Sequence, residues 1–338
     1  MIDSLPYITT TREMSGGRAA PAIEAHDLVK TYGGKVRALD GLSFTVEAGA
    51  VFALLGPNTT IKILNTLSRP DSGSARVACF DVLREPERVR RAIGCVAQKS
   101  GVDPEATGRE NLTLQGRIYS LRGQKLKDRV DELLKRFRLT EAADSVARTY
   151  SGGMQRKLDI AMGLVHRPRV LFLDEPTTGL DPEARVGLWD DISRLANEDG
   201  ITVLLTTHYM EEADQLACRV AIVDRGKLVV EGTPDQLKGE LLGDAIHIEF
   251  MRPEVEGRVR KALDQLDGLS EILMDGHSLR ARAVQGATAV PGMLAALDSN
   301  GLRVASVKVA GPSLDDVYLR YTGRTFSELD QPNPKRTR

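Results

Sequence analysis

Two adjacent acids, Asp174 and Glu175, follow a run of apolar residues in the segment RVLFLDEPTTGLD. The apolar run predicts a buried strand, and parallel α/β sheets place their ligands at the carboxyl ends of such strands. One acid in this position can hold Mg²⁺ through water while the next polarises an attacking water molecule. The pair, together with the Pro-Thr-Thr-Gly-Leu-Asp of this segment, therefore predicts Mg²⁺-assisted attack by water.

Two further polar residues follow apolar runs that we expect in the same sheet. His208 ends TVLLTTH, and Gln98 lies in GCVAQKS. A histidine after a strand is more often structural than catalytic. Here, however, the predicted sheet places it at the same edge as Gly56 and Asp174, which favours a role in the site.

The segment TYSGGMQRKL combines a helix start with two glycines. Ser151 can cap the helix, and Gly152 and Gly153 leave backbone N–H groups free to attract an anion. An ordinary capped helix accounts for the same residues, so the segment alone leaves both interpretations open.

A phosphate-binding loop is approached but not completed in AVFALLGPNTTIKIL, residues 50–64. Such loops read G-x-x-x-x-G-K-[ST] between a strand and a helix. Here the apolar strand leads into Gly56, Pro57 and Asn58, and then directly into the helix-like TTIKIL. The Gly-Lys-Ser/Thr that would hold phosphate and Mg²⁺ does not follow.

Counting without a gap from the first glycine offers Lys62 as a substitute lysine. Ile61 then takes the glycine position and Ile63 the Ser/Thr position, where β-branched residues do not suit a close approach to phosphate. The spacing of Ile61, Leu64 and Leu67 predicts instead the buried face of a helix.

The elements that must position these residues alternate along the chain. Residues 1–20 lack periodicity and are expected to be a disordered tail. Strands are predicted at 23–27, 42–46, 51–55, 170–173 and 202–206, and a hairpin at 220–223 and 228–231. A mostly helical insertion lies between them, and the alternation predicts an α/β core.

After residue 238 the pattern changes to β-α-β-α-β, with strands in AIHIEF, SLRARAV and RVASVKVAG. The helices are predicted in PEVEGRVRKALDQL, starting at its proline, and in TAVPGMLAALDSNG. This order predicts a separate small α+β domain over 240–324, of a ferredoxin-like kind. Residues 325–338 are expected to be a second disordered tail.

Composition excludes several classes of protein. The 338 residues carry a net charge of −1 with a pI near 6.6, which argues against a nucleic-acid binder. No apolar run reaches the ~18 residues that a membrane span needs, and we expect a protein retained inside the cell.

From residue 22 to about 235, the chain resembles the ATP-binding subunit of an ABC transporter. The resemblance is carried by six motifs, which follow in the family's order: TYGG, LLGPN, VAQ, YSGGMQ, LFLDEPTTGLD and TTH. The segments EPERVRRAIG and PSLDDVYLRYTG resemble the daunorubicin-resistance type of drug-export ATPase subunit. The resemblance implies a P-loop NTPase-like ABC ATPase domain at 21–238, with a helical subdomain at about 100–165, followed by the small α+β domain.

The resemblance also implies ATP and Mg²⁺ as ligands and assigns the chemistry. Asp174 orders Mg²⁺, Gln98 touches Mg²⁺ and reports the nucleotide state, Glu175 is the general base, and His208 contacts the γ-phosphate. Tyr32 stacks on adenine, the Ser151 segment covers the γ-phosphate held by the opposite protomer, and Asp181 crosses the dimer interface. The implied nucleotide-binding positions are Tyr32, Gly56, Pro57, Asn58, Thr59, Thr60, Gln98, Ser151, Gly152, Gly153, Gln155 and Asp181.

This chain departs from the family pattern G-P-N-G-A-G-K-S/T-T-T. Five residues, Gly-Ala-Gly-Lys-Ser or an equivalent, are absent between Asn58 and Thr59. They supply most of the N–H cradle, the lysine on the phosphates and the hydroxyl on Mg²⁺. We therefore expect weak or absent ATP binding at this chain's own loop. An engineered or artefactual deletion, a decaying gene copy and a natural degenerate subunit all account for the gap.

The implied function is export of a drug-like or lipid-like substrate through a separate transmembrane permease, on the cytoplasmic side of the membrane. The ATP-binding subunits are expected to form a homodimer or a heterodimer. The alternative is a non-hydrolysing regulatory or scaffolding subunit, which in a heterodimer keeps one working site with an intact relative.

Overall fold

The computed structural model describes residues 20–34, 36–56, 58–241, 243–264, 266 and 268–323. Pro57 and the two terminal segments predicted as tails lie wholly or almost wholly outside these residues. We call residues 20–241 the N-terminal region and residues 243–323 the C-terminal region.

The N-terminal region is built on two sheets. Its strands are β1 (Ile23–Tyr32), β2 (Val36–Val46), β3 (Val51–Leu55), β4 (Ser72–Val77), β5 (Phe80–Asp81), β6 (Ile93–Val96), β7 (Val170–Asp174), β8 (Thr202–Thr206), β9 (Arg219–Asp224) and β10 (Lys227–Gly232). The central sheet has the order β10-β9-β3-β8-β7-β6 and is parallel except for the β9–β10 hairpin. The second sheet is antiparallel, with the order β2-β1-β4-β5.

Helices cover the central sheet and form the insertion. They are α1 (Thr59–Leu64), α2 (Pro86–Ala92), α3 (Gly108–Ile118), α4 (Gly123–Arg136), α5 (Gly152–Gly163), α6 (Pro182–Asn197), α7 (Met210–Leu216) and α8 (Pro234–Gly239). All five residues of β3 and of β8 are buried, as expected of parallel strands that are covered on both faces. Along β3, Val51, Ala53 and Leu55 pack into one core, and Phe52 and Leu54 into the other.

Helix α1 differs from the expected one. It ends at Leu64, so the predicted buried residue Leu67 lies outside it and is 78% exposed. Ile61, Ile63 and Leu64 form the buried face instead. The three-apart spacing failed as a predictor because the helix is only six residues long.

The C-terminal region contains β11 (Asp244–Phe250), α9 (Glu256–Leu263), β12 (Leu269–Asp275), β13 (Ser278–Ala283), α10 (Gly286–Ser299), β14 (Val304–Ala310) and α11 (Leu314–Thr322). The strands form an antiparallel sheet in the order β12-β13-β11-β14. This β-α-β-β-α-β arrangement is ferredoxin-like. The expected order lacked β12, and α9 begins three residues after the proline at which the sequence placed its start.

Helix α11 packs outside the C-terminal sheet's own core. Its buried residues Leu314, Val317 and Tyr318 belong to the larger core of the N-terminal region. On its polar side, the buried Arg282 of β13 forms an ion pair with Asp316 at 3.2 Å. Helix α11 thus bridges the two regions.

Among the residues described, no helix is both long enough and apolar enough to cross a membrane.

Candidate functional site

Asp174 lies at the carboxyl edge of the central sheet, where β7 and β8 run side by side. Its Oδ1 accepts hydrogen bonds from Thr206 Oγ1 at 2.7 Å and from Asn58 Nδ2 at 2.8 Å. The parallel pairing that sets Asp174 opposite Thr206 brings these groups together. A hydrogen bond therefore joins the predicted Mg²⁺ ligand Asp174 to Asn58 of the predicted phosphate loop.

Glu175 follows directly and is only 6% exposed. Its Oε2 accepts from Gln98 Nε2 at 2.8 Å and from Thr178 Oγ1 at 3.2 Å, and its Oε1 contacts His208 Nε2. Its backbone φ is +47°, a conformation that is rare outside glycine and is often found at functional sites. A carboxylate fixed between an amide and an imidazole can orient a water molecule and accept its proton.

The buried Arg156 of α5 positions this pair of acids, and sequence reasoning missed it. Its guanidinium donates to the backbone carbonyls of Asp174 at 2.8 Å, Glu175 at 3.1 Å, Pro176 at 2.7 Å and Ala97 at 2.7 Å. Burial lowers its pKa, but the four carbonyls compensate for its lost hydration. The signal was a charged residue directly after YSGGMQ, on the turn of α5 that faces the sheet.

Thr206 and Thr178 were missed as well. Thr206 lies two residues before His208 and Thr178 three residues after Glu175, and each directs a hydroxyl at an acid of the site. Threonines beside a predicted sheet edge are common, so no sequence pattern distinguished these two from others.

The phosphate loop is a three-residue connection between β3 and α1. Gly56 is required there because a Cβ would lie 2.7 Å from the Cβ of Val223. The buried Thr60 Oγ1 has no hydrogen-bond partner among the described residues. Beside this connection, Asp174 and Gln98 offer the oxygen atoms that Mg²⁺ prefers.

Lys62 is the residue that an alignment without a gap offers as the phosphate-loop lysine. Its side chain is exposed and belongs to the last turn of α1, whereas a phosphate loop works at the beginning of its helix. Lys62 is not among the described residues that line the cavity over Glu175. The structure therefore agrees with the interpretation of Lys62 as an ordinary surface residue.

The Ser151 segment and Asp181 form a second cluster, apart from the one around Asp174 and Glu175. Ser151 Oγ accepts from the backbone N–H of Met154 at 3.2 Å, so Ser151 caps α5. A cavity of about 390 Å³ is lined by Ser151, Gly153 and Asp181 among others, and Asp181 caps α6 by accepting from Ala184 N at 2.9 Å. Capping is thus shown, and the predicted contacts with a partner's nucleotide stay predictions.

The remaining predicted residues take no part in either cluster. Tyr32 ends β1 in the second sheet and is 42% exposed. Gln155 Nε2 donates to the carbonyl of Ala147 at 3.3 Å. Gly152 forms the first turn of α5, and Thr59 that of α1. Their roles in nucleotide binding stay predictions.

This architecture is that of a P-loop-type ATPase domain followed by a small α+β domain. A family model described as ABC transporter matches residues 39–178. Over 308 residues the chain is 43% identical to a daunorubicin resistance ATP-binding protein of Streptomyces coeruleorubidus, covering 89% of this chain and 95% of that protein. The chain belongs to the ATP-binding proteins of ABC transporters.

Two further comparisons show the range of the similarity. The chain is 37% identical over 326 residues to the Nod factor export ATP-binding protein I of Sinorhizobium fredii, covering 93% of this chain and 90% of that protein. It is 26% identical to the ATP-binding cassette MJ0796, solved as a dimer in a post-hydrolysis state bound to ADP and Pi. That match has a TM-score of 0.56 and covers 62% of this chain and 98% of the other.

Proposed function

We propose that this chain is the ATP-binding subunit of an exporter, coupling ATP binding and hydrolysis to efflux of a drug-like or lipid-like substrate. It docks on a separate membrane permease at the cytoplasmic face. The observation that carries the proposal is Glu175, buried between Gln98 and His208 and adjacent to Asp174 at the sheet edge. Relatives named for daunorubicin resistance and for Nod factor export support the transport role.

We infer the roles of the residues from their contacts. Asp174 and Gln98 present oxygen atoms for Mg²⁺. Glu175 orients a water molecule and takes its proton, and His208 holds the carboxylate in place. Bound MgATP supplies the phosphoanhydride that this water cleaves. Arg156 keeps both acids at the edge through their backbone carbonyls.

This chain's own phosphate loop is impaired. A charge-assisted hydrogen bond contributes roughly 1.5–3 kcal/mol net. Losing the lysine and one strong N–H contact removes at least ~3 kcal/mol, which is about 100-fold in affinity. MgATP titration of the purified chain should therefore show weak or no binding and no useful turnover, and tight binding would overturn this part of the proposal.

A second candidate is a non-hydrolysing subunit of a heterodimer. The favouring observation is that the Ser151 segment lines a cavity with Asp181, while only three residues connect β3 and α1. In dimers of this family each nucleotide lies between one protomer's loop and the other's Ser-Gly-Gly segment. A partner with an intact loop would keep one working site.

Complementation tests the two candidates. One protein is the chain as it stands, and the other carries Gly-Ala-Gly-Lys-Ser after Asn58 together with Ser151→Arg. Each homodimer lacks one half of every site, so neither should hydrolyse ATP. A mixture forms one complete site and should do so.

The position of Glu175→Gln then identifies the working site. In the repaired partner the change should abolish the activity of the mixture, and in the unrepaired chain it should have no effect. An inactive mixture, with both proteins folded and dimeric, would remove the heterodimer candidate. Activity of the unrepaired chain alone would contradict the loss of its own site.

A further inference from the structure

Three basic side chains form a row across the C-terminal sheet. His247 of β11 pairs directly with Lys308 of β14 on one side and with Arg280 of β13 on the other. Burial lowers the pKa of His247, and the charges of Arg280 and Lys308 lower it further. We call these three residues the basic row.

The row lies on the open face of its sheet. The alternate residues of β11, Ile246, Ile248 and Phe250, are buried on the other face against α9 and α10. Because side chains alternate along a strand, His247 and its cross-strand neighbours lie on the side away from that core. Helix α11 covers part of this face, where the buried Arg282 is paired with Asp316, and the part that carries the basic row is open.

The open face looks onto the catalytic edge. A cavity of about 1060 Å³ is lined by Glu175 and His208 on one side and by the three residues of the basic row on the other. Its size is at the upper end of the range of roughly 300–1,000 Å³ typical of small-molecule sites. None of these C-terminal residues belongs to a motif of the ATPase domain.

The acids that share the cavity are mostly engaged. Glu249 accepts from Ser306 Oγ at 3.0 Å, and Asp316 is bound to Arg282 at 3.2 Å. Burial and the neighbouring Asp316 raise the pKa of Asp315, and the charge of Arg280 opposes this rise.

The two permanently charged members of the row differ from these acids. Within the part of the chain that the structure describes, no ion pair involves Arg280 or Lys308. Two cations that face a cavity without a counter-charge in contact are suited to an anionic ligand.

We propose that the basic row binds the phosphate chain of a polyphosphate anion in this cavity. It thereby supplies, from the C-terminal region, part of the positive charge that the shortened loop lacks. The inference rests on the proposed function only in placing the phosphate chain beside Glu175 and His208. Both a nucleotide and an inorganic polyphosphate present this chemistry.

Titration calorimetry of the full chain with inorganic triphosphate and with MgATP tests the proposal. The test variant is Arg280→Gln/Lys308→Gln, and the charge-retaining variant is Arg280→Lys/Lys308→Arg. The matched control is Lys261→Gln, an exposed lysine on α9. Thermal unfolding of each variant verifies that it is folded.

We expect the double glutamine variant to bind at least tenfold more weakly, since each charged contact contributes about tenfold or more. The charge-retaining variant and the control should stay within about threefold of the parent. Weakening of triphosphate alone identifies an inorganic anion as the ligand, and weakening of MgATP identifies a nucleotide. No binding by the parent, equal binding by the double variant, or equal weakening in the Lys261 control would overturn the proposal.

The loop-repaired chain separates this result from the proposed function. If it hydrolyses ATP while no ligand depends on the basic row, the inference fails and the function stands. If the row binds but the repaired chain shows no hydrolysis, the inference stands and the function fails.

Discussion

Inserting Gly-Ala-Gly-Lys-Ser between Asn58 and Thr59 should convert this chain into an active ATPase. The side chains proposed to act on ATP already lie together at the sheet edge, where Glu175 contacts Gln98 and His208, and Asp174 accepts a hydrogen bond from Thr206. The insertion therefore needs to restore only the binding of the phosphates.

The magnitude follows from the present connection. Between β3 and α1 it offers the backbone N–H groups of Gly56 and Asn58 only, since Pro57 has none. The insertion adds five N–H groups, a lysine and a hydroxyl. Counting only the lysine and one N–H group, the gain is at least ~3 kcal/mol, or about 100-fold in MgATP affinity.

Calorimetric titration with MgATP and a phosphate-release assay measure the two effects. An insertion of Gly-Ala-Gly-Ala-Ser is the matched control, because it restores the backbone without the charge. It should recover about tenfold less affinity than the lysine version. Adding Glu175→Gln to the repaired chain should lower turnover by roughly 10²–10⁴-fold, the usual contribution of a general base.

Equal MgATP affinity of the original and repaired chains would refute this reasoning. The phosphates would then be held by other residues of the original chain, with the basic row and Lys62 as the first to be replaced. Turnover that is insensitive to Glu175→Gln in the repaired chain would refute the assignment of the general base.

Three further predictions concern stability. Thr60→Val should stabilise the fold by about 1 kcal/mol, because it removes a buried hydroxyl that has no hydrogen-bond partner among the described residues. Thr206→Val should destabilise the fold by about 1 kcal/mol, because it removes the hydrogen bond to the Asp174 carboxylate. Arg156→Met should lower the free energy of unfolding by at least ~3 kcal/mol, because it leaves buried carbonyls unpaired. The control Arg148→Met, at an exposed position, should change it by less than ~1 kcal/mol. Urea unfolding measures the effect of all four substitutions. Burial raises the pKa of Glu212 above its ordinary 4.5, so the folded state holds this proton more tightly and stability should fall as pH rises above about 4.5. Glu212→Gln should flatten that fall, and an unchanged pH profile of the unfolding midpoint would contradict the assignment.

Most strands of the central sheet could be predicted from the sequence because they are short, continuous runs of apolar residues. Continuous apolar runs such as the one in β8 have few alternatives once they are bounded by polar residues. Sequence reasoning missed β12, four of whose seven residues are exposed and whose burial pattern lacks a strict alternation. A strand at the edge of a sheet needs only one buried face, so its pattern is weak.

The site was predictable to the extent that it follows from the ends of strands. Glu175, His208 and Gln98 were placed together because parallel strands share one carboxyl edge. Arg156 was not, because its function depends on four carbonyls that are adjacent only after folding. The basic row was invisible for the same reason, since strand register brings Lys308 within reach of residues about thirty and sixty positions earlier.

Helix α11 sets an order of events during synthesis of the chain. The core of the N-terminal region includes Tyr318, which the ribosome adds long after the last strand of the central sheet. At ~5–20 residues per second, the intervening stretch of roughly 80 residues takes on the order of 4 to 16 s. During that interval the core residues that Leu314, Val317 and Tyr318 contact in the finished fold lack these three partners.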